Sequence, residues 1–338
     1  MPAPVCLIVN PAAGGGRARH AADSAQRALR AHGLQVRRTD TRDLEHARTL
    51  AAQAARAGET SVTVGGDGLI GACADVLRRT PDALLGVIPG GRGNDLARVL
   101  GIPTDAEAAA AIVAGGHTRR VDLGLVRSAT PVHPEDAAPG APAQDGRAFV
   151  GIASAGFDSD ANRIANEAPA WLGGLVYVYG ALRALAAWRP TQIELELLGA
   201  PAPGGGGAAP APRERHSFSA FSFGACNSKA YGGGMLAAPD ALLDDGLLEV
   251  VIVESVSKRA FLTRILPKLF KGTHVHEPEV HVFRARELTL HADREFTMYA
   301  DGDPIAQLPV RVSALAGAIT MLVPAQPGGA FSTAAGGG

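Results

Sequence analysis

The sequence predicts an α/β fold of two domains: an N-terminal domain built on a parallel sheet and a second, mainly antiparallel β domain. Three observations predict this fold. The chain has 338 residues and 46% of them are hydrophobic, which is enough apolar material for two domain cores. Strand-like and helical patterns alternate over the first 125 residues, as in βαβ units. Beyond that point strand-like runs dominate and short turns separate several of them, which is typical of antiparallel sheet.

In the N-terminal domain, assigned to residues 1–124, each strand-like run is followed by a helical pattern. The predicted strands are 5–9, 34–38, 61–64 and 84–88. The predicted helices are 18–31, 44–57, 70–79, 94–100 and 105–114. Elements in this order build a parallel sheet, and the C-terminal ends of its strands meet at one edge.

The second domain is assigned to residues 125–305. Its predicted strands are 148–153, 192–198, 217–225, 247–253, 280–285, 287–292 and 295–300. A last strand at 318–323 lies in a segment, about 306–325, that we expect to return to the first domain. The Ala-, Gly- and Pro-rich stretches 128–146 and 199–212 are expected to be exposed loops, and 326–338 a disordered tail.

Residues 171–188 form an apolar run that could be mistaken for a membrane span. The run is 18 residues long, Arg183 lies inside it and Pro190 follows it. A central arginine costs about 2.5–3.5 kcal/mol on insertion scales. The sequence therefore favours a buried helix of the second domain over a span.

The composition disfavours several classes of protein. Charged residues make up 19% of the chain and the formal net charge is -1, which argues against a disordered chain and against a nucleic-acid partner. The three cysteines have no spacing typical of a disulfide framework or a zinc site. The N-terminus has no signal-peptide pattern, so we expect a cytoplasmic protein. No lysine precedes Lys229, which excludes a Walker A motif from the N-terminal half.

Three glycine-rich turns follow three of the predicted strands and each precedes a helix. They lie at 10–17, 65–68 and 89–95. In a parallel sheet all three turns can share one crevice, where backbone N–H groups and helix N-termini attract an anion. Arg17 and Arg92 could add positive charge. One such turn is commonly a plain turn, but three in one domain predict a site for nucleotide phosphates.

In this order and context the motifs resemble those of the diacylglycerol kinase catalytic-domain family of lipid kinases. The matching stretches are NPAAG at 10–14, GGDGL at 65–69, PGGRGND at 89–95, YGGGMLAAPDALLDDG at 231–246 and DGD at 301–303. Leu69, Arg92 and Asp303 stand where that family has Thr, Thr and Glu. The resemblance implies a two-domain kinase with an inter-domain cleft for ATP, and diacylglycerol is the leading acceptor.

The resemblance also implies roles for individual residues. ATP would contact the turns and one neighbouring residue, namely Asn10, Pro11, Ala12, Ala13, Gly14, Arg17, Thr41, Gly65, Gly66, Asp67, Gly68, Leu69, Gly91, Arg92, Asn94 and Asp95. A structural Mg²⁺ would be bound by the Asp245 carboxylate and the carbonyls of Leu242 and Leu247, which are the hard oxygen ligands it prefers. Asp303 would be the general base, with Asp67 as a rival for that role or for catalytic Mg²⁺. On the residues alone, the sequence favours plain turns at 244–246 and at 301–303 over these roles.

Residues 258–271 predict a peripheral contact with the membrane. The segment carries five basic residues and no acidic residue, and its apolar residues recur at helical spacing, as in helices that lie on anionic lipid. The alternative is an ordinary covering helix that Pro267 breaks or kinks. We therefore expect a membrane lipid as substrate, association with the inner face of the membrane, and no nucleic acid. A homodimer is compatible with these features.

Other functions stay open at this point. The acceptor could be a sphingoid base, phosphatidylglycerol or another polar lipid. NAD kinase shares the Gly-Gly-Asp-Gly turn, although the stretches at 231–246 and 301–303 argue against it. A catalytically inactive nucleotide- or lipid-binding regulator is the alternative from another class, because Leu69 and Arg92 replace two hydroxyl side chains of the family pattern.

Overall fold

The computed structural model describes residues 3–129, 146–167, 176–199 and 213–330 and confirms the predicted fold class. The N-terminal half contains every predicted strand and helix within three residues of the predicted bounds. Its strands are β1 (Val5–Val9), β2 (Val36–Asp40), β3 (Thr60–Gly65) and β4 (Leu84–Pro89). Its helices are α1 (Arg17–Ala31), α2 (Leu44–Arg56), α3 (Asp67–Leu77), α4 (Asp95–Val99) and α5 (Ala106–Gly115).

The four strands form a parallel sheet in the order β2, β1, β3, β4. β1 and β3 are buried along their whole length, as expected for parallel strands that have helices on both faces. The helices bury narrow alanine-rich faces, and α1 does so with Ala18, Ala22, Ala25 and Leu29. Asp43 and Asp105 cap α2 and α5, since their carboxylates accept bonds from backbone N–H groups of the first turn.

The second half is mainly antiparallel. Its strands are β5 (Thr118–Ser128), β6 (Arg147–Phe149), β7 (Ile152–Gly156), β8 (Thr191–Leu198), β9 (Arg213–Cys226), β10 (Ala230–Tyr231), β11 (Met235–Leu236), β12 (Leu248–Glu254), β13 (Val280–Ala285), β14 (Glu287–Ala292), β15 (Thr297–Ala300), β16 (Asp303–Gln307) and β17 (Val310–Leu322). Its longer helices are α6 (Phe157–Glu167) and α7 (Val176–Ala187). The strand predicted at 148–153 is two strands, β6 and β7, because Val150 and Gly151 interrupt it.

β17 joins the two halves of the molecule. It pairs antiparallel with β5 and β14 and parallel with β4. The strand predicted at 318–323 is therefore only the end of a longer one. Pairing with β5 shifts register between Leu315 and Ile319, where Gly317 has a φ of +51°. This irregularity hides the strand's first half from a period-two pattern.

Several predictions fall partly outside the described residues. Residues 130–145 and 200–212, which cover most of the two predicted loops, lie outside them, as do 168–175 and 331–338. The tail predicted to be disordered from residue 326 instead contains a short 3₁₀ turn, Gly328–Ala330. Ala330 is buried in the first core and its carbonyl accepts a bond from the Leu243 N–H at 3.0 Å. Burial of that small apolar side chain explains the order.

The amphipathic segment 258–269 is one continuous helical stretch with a π-helical turn at Phe261–Ile265. The π turn precedes Pro267, which has no N–H group to donate. Phe261 and Ile265 are buried in the second core and Leu269 is buried beside them in the helix, whereas Leu262 is exposed. Across the described parts of the chain, no helix combines the length and apolar character needed to span a membrane.

Candidate active site

The three glycine-rich turns meet at the C-terminal edge of the parallel sheet. A Cβ atom on Gly14 would lie 2.4 Å from the carbonyl oxygen of Gly90, and one on Gly91 would lie 2.5 Å from the Cα of Gly66. Side chains at these positions would therefore separate the turns. The glycines bring three backbone segments into one crevice, as the sequence predicts.

Polar side chains of the first and third turns hold these turns in shape. Arg17 donates from Nε to the Gly14 carbonyl at 3.0 Å and from Nη2 to the Gly91 carbonyl at 3.3 Å. Asn94 adopts a φ of +52° and its amide bonds both the N–H and the carbonyl of Gly91. The Asn10 side chain accepts from the Ala12 N–H at 3.1 Å. These three residues hold the turns in shape, whereas Arg92, the other arginine of the turns, is exposed.

The carboxylate of Asp67 binds the start of α4. Its Oδ2 accepts from the Asp95 N–H at 3.1 Å and its Oδ1 accepts from the Leu96 N–H at 3.0 Å. Burial raises the pKa of Asp67, and the two N–H bonds oppose that rise. Both oxygens therefore help to position the third turn, which favours a positioning role for Asp67 over that of a base.

Asp95 connects the third turn to the second domain. Its Oδ2 accepts from the Gly233 N–H at 2.8 Å, and its Oδ1 accepts from Arg98 at 2.5 Å. Gly233 lies in the glycine turn between β10 and β11, with a φ of +86°. The matched stretch that begins at Tyr231 therefore supports the nucleotide turns from the other side of the cleft.

The hairpin between β15 and β16 brings Asp301 and Asp303 to α3. The Asp301 carboxylate accepts from the N–H groups of Val150 at 2.9 Å and Gly151 at 2.8 Å. A Cβ on Gly71 would lie 2.4 Å from Asp301 Oδ2, so the hairpin rests directly on the α3 backbone. Burial raises the pKa of Asp301 to about 7, and the charges of Asp67 and Asp303 add to this rise. Asp301 is thus an anchor for the hairpin.

Asp303 is the carboxylate that the anchored hairpin presents to the second glycine turn. A Cβ on Gly68 would lie 2.5 Å from Asp303 Oδ2. Burial raises the pKa of Asp303, while the positive charges of Arg147 and Arg48 lower it. Arg147 also donates to the Pro304 carbonyl at 3.1 Å. Of the two aspartates, Asp303 is therefore the better placed to accept a proton, although the role itself stays a prediction.

The other predicted nucleotide contacts occupy different environments. Thr41 follows β2, is buried, and donates its N–H to the Val9 carbonyl at 2.6 Å. Leu69 is a core residue, because its side chain packs where a Cβ on Gly65 would otherwise lie. The other residues predicted to contact the nucleotide lie within the first two turns and are Pro11, Ala12, Ala13, Gly66 and Gly68.

The predicted metal site contains an arginine in this structure. One oxygen of Asp245 accepts from the Leu247 N–H at 3.0 Å and the other pairs with the Arg284 guanidinium. Arg284 also pairs with Glu249 at 2.8 Å. The Arg284 guanidinium already supplies a positive charge at this carboxylate, which disfavours a second cation there. The site formed by Asp245, Leu242 and Leu247 stays a prediction that requires Arg284 to move.

An apolar cavity with a buried carboxylate lies within the second domain. Its lining includes Tyr231, Phe261 and Asp158. Asp158 accepts from the Ser222 hydroxyl at 2.8 Å, and burial raises the pKa of Asp158 to about 6. The cavity volume is about 40 Å³, which admits a hydroxyl-sized group and not an acyl chain. The sequence did not single out Asp158, because a helix-start aspartate is common and only the fold brings Ser222 to it.

Comparisons with known proteins agree with this arrangement. Residues 4–126 match the family described as the diacylglycerol kinase catalytic domain, and residues 151–323 match the YegS C-terminal NAD kinase beta sandwich-like domain. The chain is 35% identical over 323 residues, 95% of each chain, to a protein of Mycobacterium tuberculosis (strain CDC 1551 / Oshkosh) named diacylglycerol kinase. It is 26% identical over 306 residues, 88% of this chain and 89% of the relative, to "Probable lipid kinase YegS" of Salmonella arizonae.

The fold has a counterpart among solved structures. The crystal structure of a diacylglycerol kinase from Bacillus anthracis aligns with a TM-score of 0.68. The alignment covers 96% of this chain and 98% of that chain at 21% sequence identity. The likeness supports the shared two-domain architecture.

Replacing Gly71 by alanine tests whether the hairpin rests on α3. Alanine is normally about 1 kcal/mol better than glycine inside a helix, but the added Cβ would lie 2.4 Å from Asp301 Oδ2. We expect Gly71→Ala to lower both Tm and kcat. Gly115→Ala in α5 is the matched control, because its Cβ meets only a His117 carbon at 3.8 Å. Wild-type Tm and kcat in Gly71→Ala would show that the hairpin does not contact α3 in solution.

Proposed function

Because this chain belongs to the diacylglycerol kinase family of lipid kinases, we propose that it transfers the γ-phosphate of ATP to the hydroxyl group of diacylglycerol and so forms phosphatidic acid. One observation carries this proposal: the anchored hairpin places Asp303 beside Gly68, in the crevice where the three glycine turns meet. The site thus combines backbone donors for phosphates with a carboxylate that can accept a proton.

The family implies ATP and a divalent metal, and we propose Mg²⁺ as that metal. Backbone N–H groups of the turns bind the phosphate oxygens, and Arg92 adds a positive charge at the exposed tip. Mg²⁺ bound with the nucleotide supplies charge neutralisation at the phosphates. The chain's own contribution is to hold the nucleotide in line with the acceptor.

The acceptor hydroxyl must lose its proton as it attacks the γ-phosphorus. Asp303 accepts this proton, and Asp301 holds the hairpin so that Asp303 stays beside the second turn. The N–H bonds to Asp67 keep the third turn in place during transfer. Phosphoryl transfer depends mainly on such positioning and on charge stabilisation.

The cavity beside Asp158 supports an amphipathic acceptor. It is mostly apolar, and its buried carboxylate can accept a hydrogen bond from a second hydroxyl or an amine. A sphingoid base and phosphatidylglycerol offer such a second donor, whereas the single hydroxyl of diacylglycerol is the one that accepts the phosphate, so diacylglycerol would not use this contact. The inactive-regulator alternative loses support, since the burial of Leu69 in the core gives that residue a packing role.

We propose peripheral association with the inner face of the membrane through the segment 258–271. Leu262 and Phe270 are 38% and 57% exposed. Arg264 and Lys268 are paired with Glu277 and Glu279, so they contribute less to anionic lipid binding than the sequence suggests. Within this segment, Lys258, Arg259 and Lys271 have no carboxylate partner among the ion pairs of the described residues, and Lys258 Nζ donates to the Ala186 carbonyl at 2.7 Å.

A lipid panel tests the proposed reaction directly. Purified enzyme, Mg²⁺ and radiolabelled ATP are incubated with vesicles that contain diacylglycerol, a sphingoid base or phosphatidylglycerol, and lipid-bound label is measured. The proposal predicts label in phosphatidic acid. Label in another lipid would reassign the acceptor, and nucleotide binding without labelled lipid would favour the regulator.

Substitution of Asp303 tests the base. Asp303→Asn keeps size and polarity but cannot accept the proton, so kcat should fall about 100- to 10,000-fold while the KM for ATP changes little. Asp303→Glu is the matched control, because it retains the carboxylate and should keep kcat within about tenfold. Near-normal turnover by Asp303→Asn would remove the residue from the mechanism.

Substitution of Arg92 tests nucleotide binding. Arg92→Ala should raise the KM for ATP about tenfold with a smaller change in kcat, because a phosphate contact is lost. Arg92→Lys should restore most of the affinity, since a positive charge remains. Steady-state kinetics with varied ATP measure both constants. An unchanged KM in Arg92→Ala would make the residue structural.

A charge-matched pair of triple variants tests membrane docking. Lys258, Arg259 and Lys271 changed together to Gln should weaken binding to anionic vesicles about 10- to 100-fold, because each surface cation contributes about 1 kcal/mol. The control changes Arg27, Arg30 and Arg56 of the first domain to Gln and should bind as wild type. Turnover of a short-chain, soluble lipid should survive in both. Equal vesicle binding by the two variants would rule out this surface.

A further inference from the structure

Asn227 is a buried amide at the end of β9, and its hydrogen bonds reach two other segments. Its side chain is 1% exposed. Nδ2 donates to the carbonyls of Asp122 and Val150, each at 2.8 Å. Because both partners can only accept, the orientation of the amide is fixed by its surroundings. The Asn227 N–H adds a third bond, to the Gly151 carbonyl at 2.9 Å.

The segment that Asn227 binds is the one that anchors Asp301. Val150 and Gly151 lie between β6 and β7, outside either strand. Their carbonyls accept from Asn227, and Gly151 also accepts from the Ser228 N–H at 3.0 Å. Their N–H groups donate to the two oxygens of Asp301. Asn227 and Asp301 therefore hold one peptide unit in common, Val150–Gly151: the Asn227 side chain bonds its carbonyl and Asp301 bonds its N–H.

The fit around this segment leaves little room for adjustment. A Cβ on Gly151 would lie 2.7 Å from Asp301 Oδ1. A rotation of the Val150 or Gly151 peptide would turn its N–H away from Asp301. The buried carboxylate would then lose a hydrogen bond, which is costly. The Asn227 amide opposes that rotation.

The other partner of Asn227 is Asp122, which is itself held in place by hydrogen bonds. Asp122 lies in β5, and its buried carboxylate accepts from the N–H groups of Gly246 at 2.6 Å and Gly317 at 2.5 Å. Gly317 belongs to β17, which pairs with the parallel sheet through β4. Asn227 thereby connects the segment that holds Asp301 to the strand that joins both domains.

We propose that Asn227 is a positioning residue for phosphoryl transfer: its side chain fixes the Val150–Gly151 peptide, whose N–H bonds Asp301, and Asp301 in turn holds Asp303 in the cleft. The inference rests on the proposed function, because it takes Asp303 as the proton acceptor. Asn227 itself forms no hydrogen bond to the three glycine turns or to Asp303 among the described residues. Its effect must therefore pass through Asp301.

A double-mutant cycle tests this dependence. Asn227→Ser removes the two side-chain bonds, Asp301→Asn weakens the anchor from the other side, and the double variant combines them. Each single variant should lower kcat about 10- to 100-fold and leave the KM for ATP within about twofold. Because both act on one contact, the double variant should be no more than about threefold slower than the worse single variant.

The matched control is Thr191→Val. Thr191 is buried in the second domain and its hydroxyl donates to Asp293, away from the cleft. This variant also loses a partly buried side-chain hydrogen bond, so it should lower Tm without lowering kcat. Turnover is measured at a temperature well below the Tm of every variant, and Asn227→Gln is prepared as a second variant in case Asn227→Ser does not fold.

Three outcomes would overturn the proposal. One is additive loss of kcat in the double variant, which would mean that the two residues act independently. Another is wild-type kcat in a folded Asn227→Ser variant with a lowered Tm, which would make the residue structural only. The third is failure of both Asn227 variants to fold, which would assign it to folding. Failure of the proposed function is distinguishable, because it would appear as normal turnover in Asp303→Asn or as unlabelled lipid in the panel.

Discussion

The Asp301 carboxylate is bound by the N–H groups of Val150 and Gly151 and rests against Gly71 of α3. This contact joins three parts of the chain: the hairpin between β15 and β16, the break between β6 and β7, and the helix that begins at Asp67. A buried carboxylate is costly unless its oxygens are bonded. The position of the hairpin therefore follows from the position of those two N–H groups, and the position of Asp303 follows from the hairpin.

The three carboxylates of the cleft show how such charges are kept near one another. Asp67 and Asp301 each accept two backbone N–H bonds, and the cations Arg147 and Arg48 lower the pKa of Asp303. Backbone donors cannot be lost by side-chain motion, so two of the carboxylates are fixed in place. Among the described residues, no hydrogen bond to the Asp303 carboxylate is found, so its oxygens can take a new partner. This division supports a structural role for two aspartates and a chemical role for the third.

The sequence identifies the parts of the site that are made of local motifs. Strands β1, β3 and β4 are buried along most of their length and a glycine-rich turn follows each of them, so these turns and the crevice between them are predictable. The order of the motifs likewise predicts the family and the two-domain fold. Both depend on residues that are close in sequence.

Contacts between distant residues are the parts that the sequence does not reveal. Asp301 and Val150 are 151 positions apart, and Asn227 and Asp122 are 105 apart. The glycine at position 71 looks like a poor helix residue until Asp301 is placed against it. The Asp245–Arg284 pair likewise occupies the carboxylate assigned to a metal, because strand pairing between β12 and β13 brings Arg284 opposite Glu249. Such pairings depend on the register of the second domain, which local patterns do not determine.

The most direct test of this account is a crystal structure of the enzyme with Mg²⁺ and a non-hydrolysable ATP analogue. The account predicts that the phosphates lie against the N–H groups of the three glycine turns. It also predicts that Asp301 still accepts from Val150 and Gly151, so that Asp303 is the carboxylate facing the γ-phosphate across the space for an acceptor hydroxyl. A nucleotide bound away from the turns, or a γ-phosphate approached by another carboxylate while Asp303 points to solvent, would contradict it.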